Sequence, residues 1–399
     1  MTLFSAARHM PTVTLGLALG VAVRESLRTR RSIAETTLPQ PGTLPTPPPH
    51  VSIILPVRDE EDNVDGILAT LLAQDYPDYD VTVIDDGSTD ATPRLLTAWA
   101  ARDPRLRVHR VEDLPSDWAG KTHALHTGVG LTGGEWLLFT DADTRHAPQT
   151  LRLMLGHAIS HRDDLLSMFT DLQFVGLGMR LLTPIGALLL IERATAAETR
   201  DPRHSGAIAV GHYLLVRRAA YDASDGYAAP ALRTTFADDV GLAEFMKRAG
   251  SRIDIVGGRG LVTNRQWTTW DSAWRGWRKS VYGEFAPLPL LGLAAGLMLI
   301  AYGLVPSLML LRALLSPQRP HGLATVLAAA TVAAQVDAHA RFDREFKLPF
   351  AWALTAPAGW VAFGLLLLDA VRLIITGQGA PWKNRTMPRL TDYKPMNSL

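Results

Sequence analysis

The 399-residue chain has no cysteine, so it holds neither a disulfide nor a thiolate metal site, which fits a reducing compartment. It also has almost no net charge, with 40 basic residues against 39 acidic ones. No global field recruits nucleic acid and no DNA- or RNA-reading motif is present, which argues against a polynucleotide partner. The stretch Pro56 to Asp62, which follows the first apolar run of strand character, contains no glycine. A dinucleotide-binding oxidoreductase requires G-x-G-x-x-G there, and that class falls too. Internal repeats are absent, and low-complexity sequence is confined to one proline-rich stretch.

Apolar residues, by contrast, make up 47% of the chain with a mean hydropathy of +0.07, and they are unevenly spread. Ala286 to Leu315 is a run of about thirty residues with one charge, Arg312, enough to cross ~30 Å of hydrocarbon as a helix. Phe350 to Ile375 is a second candidate; Gly322 to Val336 reads as a short span or one arm of a re-entrant hairpin. Near the start, Phe4 to Val23 spans if Arg8 and His9 reach the interface, or else is a cleaved signal peptide. Arg24, Arg28, Arg30 and Arg31 follow, which places the downstream side in the cytoplasm by the positive-inside tendency. One N-terminal and three C-terminal spans would then leave the basic tail (Lys383, Arg385, Arg389, Lys394) on the opposite side, against the same tendency. The span count stays open.

Prolines between Leu38 and Pro49 make a stiff extended linker. Beyond it, apolar runs predict strands at Val51–Val57, Val81–Ile84, Leu106–Arg110 and Trp136–Thr140. These alternate with helical spacing over Glu61–Gln74, Thr92–Arg102 and Lys121–Leu131. This is an α/β pattern and predicts a parallel sheet. Ligands of open α/β sheets bind beyond the carboxyl ends of the strands, and Arg58-Asp59-Glu60, Asp85-Asp86 and Asp141-Ala142-Asp143 each follow a strand. Hard carboxylate oxygens on one rim suit a divalent cation and the phosphates it would offset. A solvated turn is the plain alternative for Asp141 and Asp143, a helix cap for Asp238-Asp239, and a surface charge for Lys121. His123 and His126, one turn apart, read as a solvent-facing stripe, and His146 as a loop histidine.

Five motifs in order, Pro56-Val57-Arg58-Asp59-Glu60-Glu61, Val83 to Asp90 (VIDDGSTD), Gly120-Lys121, Phe139 to Asp143 (FTDAD) and Phe236-Ala237-Asp238-Asp239, resemble the family 2 glycosyltransferases. The resemblance covers roughly Val51 to Gly283. It implies a GT-A, Rossmann-like nucleotide-sugar domain, Mg or Mn as cofactor, and inversion at the anomeric carbon. By the same resemblance Pro56, Val57, Arg58 and Glu60 line the nucleoside pocket, Asp85 or Asp86 reads the base, and Lys121 meets the donor diphosphate. Asp141 and Asp143 form the donor and metal pair, with Asp143 the direct ligand. Asp239, of the pair Asp238-Asp239, is the base that an acceptor hydroxyl needs, being a poor nucleophile on its own.

Many lipid-linked and processive members carry Q-x-x-R-W, whereas this chain has Gln266-Trp267-Thr268-Thr269-Trp270, without the arginine. The following Trp274 to Lys279 stretch is more similar to carotenoid- or ceramide-type lipid glycosyltransferases. Trp267, Trp270, Trp274 and Trp277 fall on one helical stripe and predict an interfacial helix. By the same resemblance, Gly206 to Arg218 stands where the family has an acceptor-side strand, which implies that Gly211 and His212 lie near the incoming hydroxyl.

The expected organisation is a membrane anchor over 1–37, a linker over 38–49 and a GT-A domain over 50–265. An aromatic helix over 266–285, a transmembrane region over 286–375 and a polar tail over 376–399 complete it. The expected activity is inverting transfer of a hexose from a nucleotide-sugar, a UDP-sugar, to a lipid acceptor such as a carotenoid, a sphingolipid-like lipid or a polyisoprenoid. An integral membrane protein with its catalytic domain cytoplasmic, in the plasma membrane if bacterial, would do this. A processive polysaccharide synthase and an inactive membrane scaffold are the alternatives.

Overall fold

A computed structural model describes residues 3–235, 237–315, 322–379, 381–383 and 385–386, with side chains from residue 12 onward except at 381, 382, 385 and 386. Arg8 and His9 of the proposed N-terminal span, Phe236 of the fifth motif, and Arg385, Arg389 and Lys394 of the basic tail therefore have no described side chain. The chain divides into two compact units, one of residues 1–34, 174–193 and 267–380, the other of 35–173, 194–266 and 381–399.

Two sheets of the second unit use ten strands, β1 Val51–Val57, β2 Tyr79–Asp85, β3 Leu106–Arg110, β4 Trp136–Phe139, β5 Thr144–His146, β6 Leu165–Phe169, β7 Asp171–Leu172, β8 Leu214–Arg217, β9 Ile253–Gly257 and β10 Val262–Asn264, and a two-stranded ladder joins Pro381–Trp382 to Arg385–Thr386. Seven form a sheet in the order β3-β2-β1-β4-β8-β6-β9. β1 runs parallel to both β2 and β4, which sets Val57 opposite Asp85 and Ile54 opposite Phe139. Both faces of β1 are buried, which explains its unbroken apolar run. Ile53, Leu55 and Val57 pack with Val64, Ile67, Leu68 and Leu71 of the following helix. Ile54 points the other way, to Leu125, Val129 and Phe139. Each such side chain contributes about 1.5–3 kcal/mol.

The four strands expected from the sequence, β1 to β4, run parallel as predicted, and the sheet becomes mixed through β8, which runs antiparallel to both β4 and β6. β8 is also shorter than the apolar stretch 206–218 suggested. A small second sheet, β5-β10-β7, sits beyond β4 and brings Asn264 opposite Thr144. The proline-rich stretch is tied to this unit rather than strung out: Gln40 N–H donates to His157 Nδ1 at 2.9 Å, and Tyr76 Oη donates to the Pro49 carbonyl at 2.5 Å.

The other unit is helical. A helix over Leu3–Glu35 opens it, Gly176–Arg193 is inserted from the middle of the chain, and Trp270–Phe285 follows a capping box of Thr269 and Ser272. Among the described residues three stretches are long and apolar enough to cross a membrane: Pro289–Leu315, Leu323–Glu345 and Phe350–Ile375. The middle one is a full helix of 23 residues, longer than the apolar run 322–336 predicted, because its second half is polar. Pro289–Leu315 and Ala356–Ile375 meet through small residues: a Cβ on Gly364 would lie 2.8 Å from the Gly296 carbonyl oxygen, and one on Gly303 2.4 Å from that of Pro357.

Candidate active site

The loops after β1 and β2 are laced together at the carboxyl edge of the sheet. Asp59 N–H donates to Ser88 Oγ (3.0 Å), Thr89 N–H to Asp59 Oδ1 (2.7 Å) and Glu60 N–H to Thr92 Oγ1 (2.8 Å). Pro56 and Val57 close β1 opposite Ile84 and Asp85. Asp85 is committed to this frame, since its oxygens accept from Ser88 N–H at 2.8 Å and Arg110 at 2.9 Å. Asp86 instead faces Arg58, whose guanidinium donates to the Asp86 carbonyl and lies 3.9 Å from its carboxylate. Glu60 accepts from Asn63 (2.8 Å) and from Lys383, a residue with no motif to announce it.

After β4, Asp141 and Asp143 meet His212, with ligand atoms of all three within 4.8 Å of one another. Burial pushes the Asp143 carboxyl up to about 7, and the charges of Asp141 and Glu60 add to the effect. Such a group ionises fully once a cation is brought to it, so the donor set fits a hard divalent ion. The amide of Asn264 donates to Asp143 Oδ1 at 2.9 Å and fixes its orientation. His212, read from the sequence as an acceptor-side residue, is buried; its Nδ1 lies 2.8 Å from Thr170 Oγ1 and its Nε2 2.6 Å from the Gln266 amide nitrogen. Burial lowers its pKa to about 4, which leaves the ring neutral, as a ligand must be. His146 is not part of this group; its Nε2 lies 3.0 Å from the hydroxyls of Thr140 and Thr144.

Lys121, at the start of the helix Gly120–Gly130, reaches Asp141 at 2.9 Å and Asp238 at 3.0 Å. Burial alone would lower its pKa, but Asp141, Asp238 and Asp239 outweigh this and hold it charged. It is therefore an ion-paired group of the site, not a surface charge. Asp238 and Asp239 are the first two residues of the helix Asp238–Arg248, whose cap position is Ala237, so neither is the capping residue. Asp239 accepts from Gly211 N–H and Val240 N–H, both at 2.8 Å. Burial, with the Asp238 charge second, pushes it up to about 6. Gly211 lies at the centre: a Cβ there would sit 3.3 Å from Lys121 Nζ, 3.4 Å from Asp141 Oδ2 and 3.5 Å from Asp239 Oδ2.

The histidine pair is not a solvent-facing stripe. His126 stacks on Trp118 at 5.0 Å and His123 meets its edge at 5.4 Å. Within the helical unit, the tryptophan stripe turns largely inward: Trp277 packs on Trp267 at 5.7 Å and Phe363 at 5.6 Å, and donates to Thr183 at 3.2 Å. Trp274 donates to Asp369 at 3.0 Å. Trp270, 40% exposed, lines with Trp274, Leu304, Val361 and Leu365 an apolar groove of about 700 Å³. Asn264, Gln266 and Lys383 escaped the sequence reading. Only Gln266 left a trace, as the first letter of the degraded Q-x-x-R-W.

Carboxylates, a lysine and a candidate cation site thus gather along one edge of the sheet. The family model for glycosyl transferase family 2 matches residues 52–224. It is 37% identical over 93 residues to 4,4'-diaponeurosporenoate glycosyltransferase of Staphylococcus aureus, a match covering 23% of this chain and 24% of the relative. The chain thus aligns with about a quarter of the length of that relative. Among solved structures, a mannosyltransferase from Pyrobaculum calidifontis in complex with GDP-Man and Mn2+ is similar with a TM-score of 0.56 at 19% identity, covering 92% of this chain and 98% of that one. At that identity the likeness establishes the fold, which is GT-A.

Proposed function

We propose that the protein transfers a hexose from a nucleoside diphosphate sugar to a lipid-like acceptor at the cytoplasmic membrane face, with inversion. The observation that carries this reading is the division of labour among the acids. Asp238 pairs directly with Lys121 at 3.0 Å, whereas Asp239 accepts from two backbone N–H groups and, among the described residues, feels the Lys121 charge only at longer range. Asp239 is thus the member of the pair suited to take a proton. In the proposed step the acceptor oxygen bonds to the anomeric carbon as the bond from that carbon to the diphosphate oxygen breaks. The hydroxyl proton passes to Asp239, and the nucleoside diphosphate leaves.

Asp141 and Asp143, with His212 in reach, would hold Mg or Mn, which when bound offsets the charge on the diphosphate. Lys121 adds a second positive charge on the same side. Arg58, Glu60 and Asp86 would contact the nucleoside, Asp85 bracing the loop beneath them. The lipid-like acceptor is supported by the name of the staphylococcal relative, whose acceptor is a carotenoid acid, and by the three apolar helices. The groove beside Trp270 and Trp274 is of a size usual for ligand pockets, about 300–1,000 Å³, and suits an apolar chain. The basic cluster Arg24 to Arg31 supports the cytoplasmic side.

The test is label transfer from a panel of radioactive UDP- and GDP-sugars, with Mn2+ or Mg2+ and a broad lipid extract, by detergent-purified protein. Label in the organic phase for wild type but not for Asp239→Asn is the expected result. Folded protein that transfers nothing from any donor refutes the activity.

A further inference from the structure

The segment beyond the last apolar helix returns to the donor pocket. Lys383 Nζ donates to the Arg58 carbonyl oxygen at 2.9 Å and to the Glu60 carboxylate, while the Lys383 carbonyl accepts from Arg58 Nε at 2.9 Å. The contact is thus made by side chain and backbone together, in both directions. The ammonium is also close enough to Asp143 for its charge to act on that carboxylate. Lys121 is already shared between Asp141 and Asp238, on the base side of the site. On the nucleoside side, Glu60 and Asp86 add negative charge next to the place the diphosphate would take, and Lys383 is paired with Glu60 there.

We propose that Lys383 is a donor-binding residue, supplied from beyond the last apolar helix, whose ammonium meets the diphosphate of the nucleotide-sugar beside Glu60. The proposal rests on reading this pocket as a nucleotide-sugar site. It has a topological consequence. Residues 35–173, 194–266 and the segment from 381 belong to one compact unit and must lie on one side of the membrane. The chain between 267 and 380 therefore crosses an even number of times. Of the three candidates, Leu323–Glu345 has a mean hydropathy of 1.3 against 2.0 and 1.9 for the others. It buries His339 and Asp343, 3.0 Å apart, and carries Asp337, Arg341, Arg344 and Glu345 besides. It is the helix that does not cross, and the basic tail then obeys the positive-inside tendency.

The experiment is titration of full-length protein in detergent with UDP and with GDP, in the presence of Mn2+, comparing wild type, Lys383→Ala, Lys383→Gln and Lys383→Arg. Loss of one charge-assisted hydrogen bond predicts binding about tenfold weaker in the Ala and Gln variants and largely restored by Arg, with unchanged thermal unfolding. Equal or tighter binding in the Ala and Gln variants overturns the role of Lys383 and makes the tail a plug or a bystander. Wild type that binds neither nucleotide overturns the pocket reading itself, and Lys383 with it. The cysteine-free chain also allows single-cysteine mapping in oriented vesicles. Ala98→Cys and Gln378→Cys should react with an impermeant maleimide from the same side, and reaction from opposite sides overturns the even crossing number.

Discussion

At the scale of residues, the proposed chemistry turns on two carboxyls, Asp239 and Asp143, and each carries a testable signature. Asp239 is held near 6, so its carboxylate accepts a proton above that pH and is already protonated below it. Turnover should therefore fall as the pH drops through about 6. Asp239→Asn should lower it about 10²–10⁴-fold, the range of general-base catalysis, with nucleotide binding retained. Steady-state rates from pH 5 to 8 in both proteins decide this; a flat profile removes the base assignment. Asn264 acts one step back, through its bond to Asp143 Oδ1. Asn264→Ala should weaken Mn2+ binding about 10–100-fold, as loss of a ligand-orienting partner does, measured from the metal dependence of nucleotide binding. An unchanged metal dependence would mean that Asp143 needs no such partner.

At the scale of elements, the β-strands that lead into Arg58, Asp86 and Asp141 were readable because a strand buried on both faces is a nearly continuous apolar run, and β1 is one. The direction of β8 was not readable, because direction in a sheet depends on which strand is already beside it, here β4 with Phe139 opposite Leu214. Among the helices, Gly303 permits the close approach of Pro289–Leu315 to Ala356–Ile375. The atom facing it is a backbone oxygen of Pro357, which cannot swing aside as a side chain would. Gly303→Val should cost about 1–3 kcal/mol, an overpacking penalty, seen as a lower midpoint of thermal unfolding in detergent. An unshifted midpoint would show that these two helices are not held together there.

For the whole molecule, the apolar helices are only 28–56% buried by the protein over their most hydrophobic windows, which leaves much of their surface to be covered by something else. Exposed leucines such as Leu290, at 76%, and Leu297, at 54%, would be costly in water. The protein should therefore stay in the membrane pellet after alkaline carbonate extraction and be released only by detergent. Its appearance in the carbonate supernatant would contradict an integral membrane protein.

The amino-acid sequence alone determined the α/β character of the first half, the order of its acidic motifs, two of the three apolar helices and the family resemblance. All of these are local: periodicity over a few residues, or short motifs at the ends of predicted strands. Tertiary structure decided which of those acids do what. Lys121 pairs with Asp238 rather than Asp239, Asn264 reaches Asp143 across 121 positions, and Lys383 reaches Glu60 across 323. His212 joins Asp141 and Asp143 only because β8 lies antiparallel beside β4. Contacts of that span leave no periodicity and, for a lone lysine or asparagine, no motif; they exist only once the sheet has brought the loops to one edge.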